Sequence, residues 1–96
     1  MELIEEIKKD LLSQKKVVQM LKALKINELS KVHFSIGMYI RNKYIWNNKI
    51  NFYVLSNYYK LYSADEISSK IIVELYCQIN KIKDNVTVLF PKDNLW

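Results

Sequence analysis

The sequence predicts an all-α fold: one small bundle of three to five helices, followed by a C-terminal arm able to add a short strand. Three observations predict this class. The chain has 96 residues, enough for one domain with a thin core. One Gly and one Pro leave few places for the tight turns of a β architecture. Apolar residues recur at every third or fourth position over most of the chain, which is the spacing of a helix face. We therefore expect a single helical domain over residues 1–96.

The N-terminal part, residues 1–25, is predicted to be a basic amphipathic helix or a pair of helices. Its apolar stripe consists of aliphatic residues at helical spacing: Ile4, Ile7, Leu11, Val18 and Leu21. Acidic residues come first and lysines follow, an order that suits the helix dipole. Gln14 interrupts the stripe and Ser13 can cap a second helix, so the pattern allows either arrangement.

The next helix is expected to run from Glu28 to Trp46, with Asn27 as its N-cap. Its apolar positions again follow helical spacing: Leu29, Val32, Ile36, Ile40 and Tyr44. Gly37 lies in the middle, where a glycine costs about 1 kcal/mol relative to alanine. Such a residue indicates a close approach, either of a crossing helix, which is the more common reason, or of a ligand.

Residues 47–62 fit two kinds of element. Four of them have helical spacing: Ile50, Val54, Tyr58 and Leu61. The Phe, Tyr and Val content of the same segment suits a strand. A lone strand needs a partner, and the only other strand-like stretch is residues 86–90. The sequence therefore favours a short helix here.

The sharpest local signal is a capping box at the start of the last helix. Ser63 is expected to accept a hydrogen bond from the backbone N–H of Glu66, whose carboxylate reaches back to the N–H of Ser63. The apolar stripe that follows has regular spacing: Ile67, Ile71, Leu75, Ile79 and Ile82. We expect residues 28–83 to form the core of the domain. Pro91 and Trp96 indicate that the arm, residues 84–96, packs on the body or on a second subunit.

Positive charge is concentrated in the middle of the chain. Residues 11–60 contain nine Lys or Arg and one acid, Glu28, and aromatic residues are interleaved among them. A basic, aromatic-rich segment predicts a surface for an anionic partner: a nucleic acid, a nucleotide or an acidic protein. The same lysines also suit ordinary solvated helix faces, and no nucleic-acid-binding signature accompanies them.

The sequence does not assemble a catalytic or metal site. One cysteine, Cys77, excludes an internal disulfide and a cysteine-based zinc cluster, and His33 is the only histidine. Gly37 is the only glycine, so a Gly-rich phosphate loop is impossible. Asp65 and Glu66 are adjacent acids, but acids in the first turn of a helix serve as caps. We therefore expect a protein that is not an enzyme and has no cofactor and no metal ion.

No apolar run approaches the ~18 residues of a membrane span, and residues 1–10 lack the apolar core of a signal peptide. We therefore expect a protein of the cytoplasm of a bacterial host, without a membrane partner. Abundant Lys, Asn and Ile are typical of AT-rich coding sequences, as in low-GC bacteria and their phages.

Arg41 is the single arginine among fourteen lysines, which favours a role for its planar guanidinium. One interpretation is bidentate recognition of a phosphate or carboxylate, with Tyr44 or Trp46 stacking on a base. The other is an ion pair with Asp65 that docks the second helix on the start of the last. We favour the structural interpretation, and the two are compatible if a ligand approaches free donors of Arg41.

Two segments resemble a family of small bacterial and phage proteins, the domain of unknown function DUF6794. They are HFSIGMYIRNKYIW at residues 33–46 and DEISSKII at residues 65–72, and the resemblance covers about residues 28–80. It implies an architecture: a helix carrying His-Phe and Arg-Asn that packs near a capped helix carrying Asp-x-x-Ser. It also implies that several residues work as one cluster, structural or ligand-binding: His33, Gly37, Arg41, Asn42, Trp46, Asp65 and Ser68.

The functional expectation is a small binding protein, by analogy with accessory proteins of phages and mobile elements that have an anti-defence role. It would inhibit a host protein by burying aromatic residues against it, or it would sequester an anionic nucleotide-like ligand. The alternative function is nucleic-acid binding through residues 11–60. The thin core favours a homo-oligomer, with a dimer as the default. The residues expected to bind are His33, Arg41, Asn42, Tyr44, Trp46, Tyr58, Tyr59, Asp65 and Ser68.

Overall fold

The computed structural model of the protein describes residues 1–82, and within them every regular element is helical. The predicted all-α bundle is confirmed. The elements in chain order are α1 (Glu2–Leu12), α2 (Lys15–Ala23), a 3₁₀-helix (Ile26–Val32), a π-helix (His33–Gly37), α3 (Met38–Ile40), a second π-helix (Arg41–Ile45), α4 (Lys49–Tyr59) and α5 (Ala64–Ile79). The four elements from residue 26 to residue 45 follow one another without a break, and we call them the composite helix. The expected arm, residues 84–96, lies outside the described residues.

The N-terminal segment forms a pair of helices, α1 and α2, rather than one. The sequence suggested that Ser13 caps α2, but it does not. Its hydroxyl donates to the carbonyl of Asp10 at 2.6 Å and so closes the end of α1. Gln14 takes the N-cap position of α2 without a side-chain hydrogen bond. The interruption of the apolar stripe at Gln14 therefore marks the corner between two helices.

The composite helix differs from the predicted α-helix at its start and in its winding. It begins at Ile26 after Lys25, so Asn27 is not the N-cap; instead, the Glu28 carboxylate accepts from the backbone N–H of Lys25 at 2.8 Å. Two π-helical segments interrupt the regular winding. In the second, the N–H of Trp46 donates to the carbonyl of Arg41, five residues back, at 2.7 Å. Such segments are uncommon and are frequent at functional sites.

The ambiguous segment 47–62 contains α4, so the predicted short helix is confirmed. The Asn48 side chain caps its first turn by accepting from the N–H of Asn51 at 3.0 Å. The helix ends where Lys60 adopts a left-handed backbone, with φ 58°. A polar cap at the start and a left-handed residue at the end fix both boundaries locally.

α5 begins at the predicted cap and forms the centre of the bundle. The Ser63 hydroxyl accepts from the N–H of Glu66 at 3.1 Å, as expected. The Glu66 carboxylate contacts the Ser63 hydroxyl, also at 3.1 Å, and not the backbone N–H that we predicted. Nine of the 16 residues of α5 are buried, so the other helices pack around it. The Tyr76 hydroxyl donates to the carbonyl of Leu24 at 2.9 Å and ties α5 to the end of α2. No helix within residues 1–82 is long and apolar enough to cross a membrane.

Candidate functional site

Arg41 is the most buried charged residue of the described chain, with 2% of its surface exposed. Its Nη1 donates to the Ser68 hydroxyl at 2.8 Å and its Nη2 to the carbonyl of His33 at 3.1 Å. Its Nε lies 3.3 Å from Oδ1 of Asp65, so the predicted ion pair is present. The Asp65 side chain is 65% exposed, so this pair links the buried cation to the surface. Arg41 thereby joins the composite helix to the first turn of α5.

Gly37 makes room for this guanidinium. A Cβ at position 37 would lie 2.8 Å from Nη1 of Arg41, closer than real Cβ atoms approach a neighbour. Gly37 has an ordinary helical backbone, with φ −60°, so conformational freedom is not the reason for the glycine. The nearest atoms belong to a side chain of the same composite helix, a neighbour that the sequence-based explanations, a crossing helix or a ligand, did not include.

Trp46 covers the guanidinium from the outer side. The Cζ of Arg41 lies 5.5 Å from the centroid of the Trp46 ring, which is within the range of a cation–π contact. The ring is 53% exposed. We call this set the Arg41 cluster: His33, Gly37, Arg41, Trp46, Asp65 and Ser68. It unites all the residues that the family resemblance implied except Asn42, which is exposed on the composite helix.

The Arg41 cluster has the geometry of a structural brace. Each guanidinium nitrogen lies within 3.3 Å of a protein oxygen, and the group is buried. An external phosphate has no access to a guanidinium in this position. His33 contributes its carbonyl to the brace, while its half-buried ring makes an edge contact with Phe34 at 5.0 Å between centroids.

A second cluster is built on Asp10, which the sequence analysis did not single out. Its Oδ2 accepts from the hydroxyls of Tyr44 at 2.6 Å and Tyr39 at 2.8 Å and from Lys43 Nζ at 2.9 Å. Its Oδ1 accepts from the Gln14 side chain at 3.2 Å. We call these five residues the Asp10 cluster. It fastens the end of α1 to the composite helix.

Electrostatics at the Asp10 cluster follow from these contacts. Partial burial on its own raises the pKa of Asp10, but the hydrogen bonds from Tyr44, Lys43, Tyr39 and Gln14 hold that pKa well below its ordinary value of 3.8. Burial, together with the bond to Asp10, raises the pKa of Tyr44 to about 12. The bond to Asp10 also raises the pKa of Lys43 above its usual range. Tyr44 therefore serves this cluster, whereas the sequence suggested a stacking role.

Tyr59, another residue expected to bind a partner, also has a structural contact. Its hydroxyl donates to Oε1 of Glu74 at 2.8 Å, and the same oxygen pairs with Lys8 Nζ at 3.1 Å. This network connects α4, α5 and α1. Tyr59 is half-buried, so little of its ring is left for a partner.

Exposed apolar residues lie together on the solvent side of α4. Ile50 is 75% exposed, Tyr53 70% and Tyr58 58%, and Val54 is exposed beside them. Their positions, i, i+3, i+4 and i+8, place them on one side of the helix. We call these four residues the α4 outer face. The opposite side of α4 carries the buried Leu55, which packs in the core.

These observations define a class: a small all-helical domain, braced internally by a buried arginine, with an aromatic helix face turned to solvent. The chain belongs to the family described as domain of unknown function DUF6794, whose profile matches residues 2–79. The match includes α1 and α2, so the family domain begins earlier than residue 28, where the resemblance in the sequence begins. No curated protein and no solved structure matches the chain. Within residues 1–82, no group of three or more His, Cys, Asp or Glu side chains is placed to hold a metal ion.

Proposed function

We propose that this protein is a non-catalytic binding protein that takes a protein partner on the α4 outer face. The observation that carries the proposal is the exposure of Ile50, Tyr53 and Tyr58 along one side of a capped, well-formed helix. A surface helix ordinarily turns charged and polar residues to water. α4 instead has apolar or aromatic residues on both sides, which is typical of a helix that is covered on both sides in its functional state.

The composition of the α4 outer face supports a protein as the partner. Tyrosine and tryptophan are enriched among the residues that anchor interfaces, because they bury a large area at a small cost in conformational entropy. Trp46, four residues before Ile50 in the chain, also has an exposed aromatic ring. The partner would therefore be a polypeptide that presents its own apolar side chains.

Two other expected functions receive less support. Sequestration of a nucleotide would rely on Arg41 and Tyr44, and both are committed to contacts inside the protein. Nucleic-acid binding would rely on the basic middle of the chain, where Lys31 and Lys43 are ion-paired with Glu28 and Asp10. Exposed lysines without such a pair remain on α2, so this alternative predicts DNA or RNA binding whose affinity falls steeply with salt.

The test compares Ile50→Asp with a matched control, Met20→Asp. Each variant replaces an exposed apolar residue by an acid, the first on the α4 outer face and the second on α2. The tagged full chain captures proteins from an extract of the organism that encodes it, and the amounts are quantified. We expect specific proteins that wild type and Met20→Asp retain and Ile50→Asp loses. The same proteins bound equally by all three chains would refute the proposal.

The anti-defence role stays a prediction, which the identity of the retained protein tests.

A further inference from the structure

The charges around the α4 outer face limit what can cover it. None of residues 29–64 is acidic, whereas five of them are basic. Two of these five are exposed lysines at the two ends of α4: Lys49 is its first residue and Lys60 follows its last. Neither forms an ion pair with another side chain of residues 1–82. The apolar face is therefore bounded at each end by a cation that no internal acid neutralises.

We propose, resting on the function above, that the partner is an acidic polypeptide whose apolar strip has carboxylates near both ends. Because α4 has 11 residues, Lys49 and Lys60 are separated by about 16 Å along the helix axis. Carboxylates with this separation lie about 11 residues apart on a partner helix. Such a segment places apolar side chains on Ile50, Tyr53 and Tyr58 while its acids meet the two lysines. Opposite charges at the rim fix orientation and raise the association rate.

The same charges make a second copy of the chain a poor occupant. When two α4 helices pair in antiparallel fashion, Lys49 of each lies beside Lys60 of the other. When they pair in parallel, Lys49 lies beside Lys49 and Lys60 beside Lys60. Each arrangement places like charges at both ends of the contact, and no acid between residues 29 and 64 can relieve the repulsion. The inference therefore departs from the homodimer that the sequence suggested.

The test is a selection from a random library of displayed peptides, each about 16 residues long, so that a helix spans the distance between the lysines. The immobilised full chain is the target, and Ile50→Asp serves for counter-selection. Affinities of the enriched peptides are then measured against wild type, the double variant Lys49→Glu/Lys60→Glu and the control Lys15→Glu/Lys16→Glu. The control makes the same change of charge at two exposed lysines of α2.

We expect enriched peptides with apolar residues at helical spacing and Asp or Glu near both ends. Reversing Lys49 and Lys60 should weaken their binding about tenfold, and reversing Lys15 and Lys16 by less than about twofold. Peptides that depend on Ile50 but are neutral or basic would overturn the inference and leave the proposed function standing. A dimer of the wild type in native mass spectrometry that the Ile50→Asp substitution dissociates would also overturn the inference, because a second copy of the chain would then cover the α4 outer face. If no enriched peptide depends on Ile50, the proposed function itself fails.

Discussion

Replacing Gly37 by alanine tests the packing of the Arg41 cluster. Because Gly37 has helical backbone angles, alanine alone should stabilise the composite helix by about 1 kcal/mol. The added Cβ, however, would lie 2.8 Å from Nη1 of Arg41, so the guanidinium must shift, and because it is buried we expect the shift to break its bond to Ser68. A hydrogen bond made by a charged group contributes about 1.5–3 kcal/mol. Its loss outweighs the gain in helix propensity, and we expect Gly37→Ala to lower the free energy of unfolding by about 1 kcal/mol.

The sign should reverse when Arg41 is replaced by methionine. Methionine has no atoms that correspond to Cζ, Nη1 and Nη2, the three that a Cβ at position 37 would meet. In the Arg41→Met background, Gly37→Ala should therefore stabilise the protein by about 1 kcal/mol. The coupling between the two positions is then about 2 kcal/mol. Arg41→Met itself leaves the exposed Asp65 carboxylate in water, so the background should still fold.

The assay is urea unfolding followed by far-ultraviolet circular dichroism for the four chains of the cycle. A loss of about 1 kcal/mol corresponds to a fall in melting temperature of about 4–8 °C for a domain of this size. Ser35→Ala, in the same π-helical segment but exposed, is the control and should have the same small effect in both backgrounds. Equal stabilisation by Gly37→Ala in both backgrounds would refute the packing argument.

Three further predictions concern the polar contacts. Asp10→Asn should lower the free energy of unfolding by about 2 kcal/mol at neutral pH. The pKa of Asp10 is depressed in the folded protein, so the stability that its carboxylate contributes is complete above pH 3.8 and is lost as the pH falls towards the pKa of the folded state. Urea titrations of Asp10→Asn should therefore show a smaller loss of stability in acid than those of the wild type. Tyr44→Phe should remove from the ultraviolet titration the phenol that ionises near pH 12. Asp65→Asn should lower the free energy of unfolding in urea by less than about 1 kcal/mol, because the Asp65 carboxylate of that ion pair is exposed to solvent. A larger loss would show that Arg41 needs the negative charge of Asp65.

Local chemistry made part of this fold predictable from the sequence. Ser63 and Glu66 lie three residues apart, so the cap at the start of α5 depends only on neighbours in the chain. The apolar spacing of Ile67 and its successors depends on the same short range. The ion pair between Arg41 and Asp65 was predicted because the chain has one arginine among many lysines. A single arginine of this kind indicates a position where its planar guanidinium is needed.

The Asp10 cluster could not be predicted, because three of its four donors lie 29 to 34 residues away from Asp10 in the chain. Asp10 looks like any solvated acid near a helix end, and Tyr44 looks like a residue of an apolar stripe. The π-helical segments were missed for a related reason: both pack against α5, and single-sequence spacing does not report such contacts. The exposed stripe on α4 was visible as helical spacing, but which side of the helix faces the core depends on the neighbours of Leu55.

The π-helical winding has a consequence for changes in chain length. A π turn closes its hydrogen bond over five residues, one more than an α turn, so each of the two segments stores one spare residue. Deleting an exposed residue there, such as Asn42, converts the π turn to an α turn and keeps the later residues on the same side. Deleting a residue inside α5 rotates everything after it by about 100° and turns buried positions to water. Length variation in this domain is therefore best tolerated in the helix that carries its most buried charge.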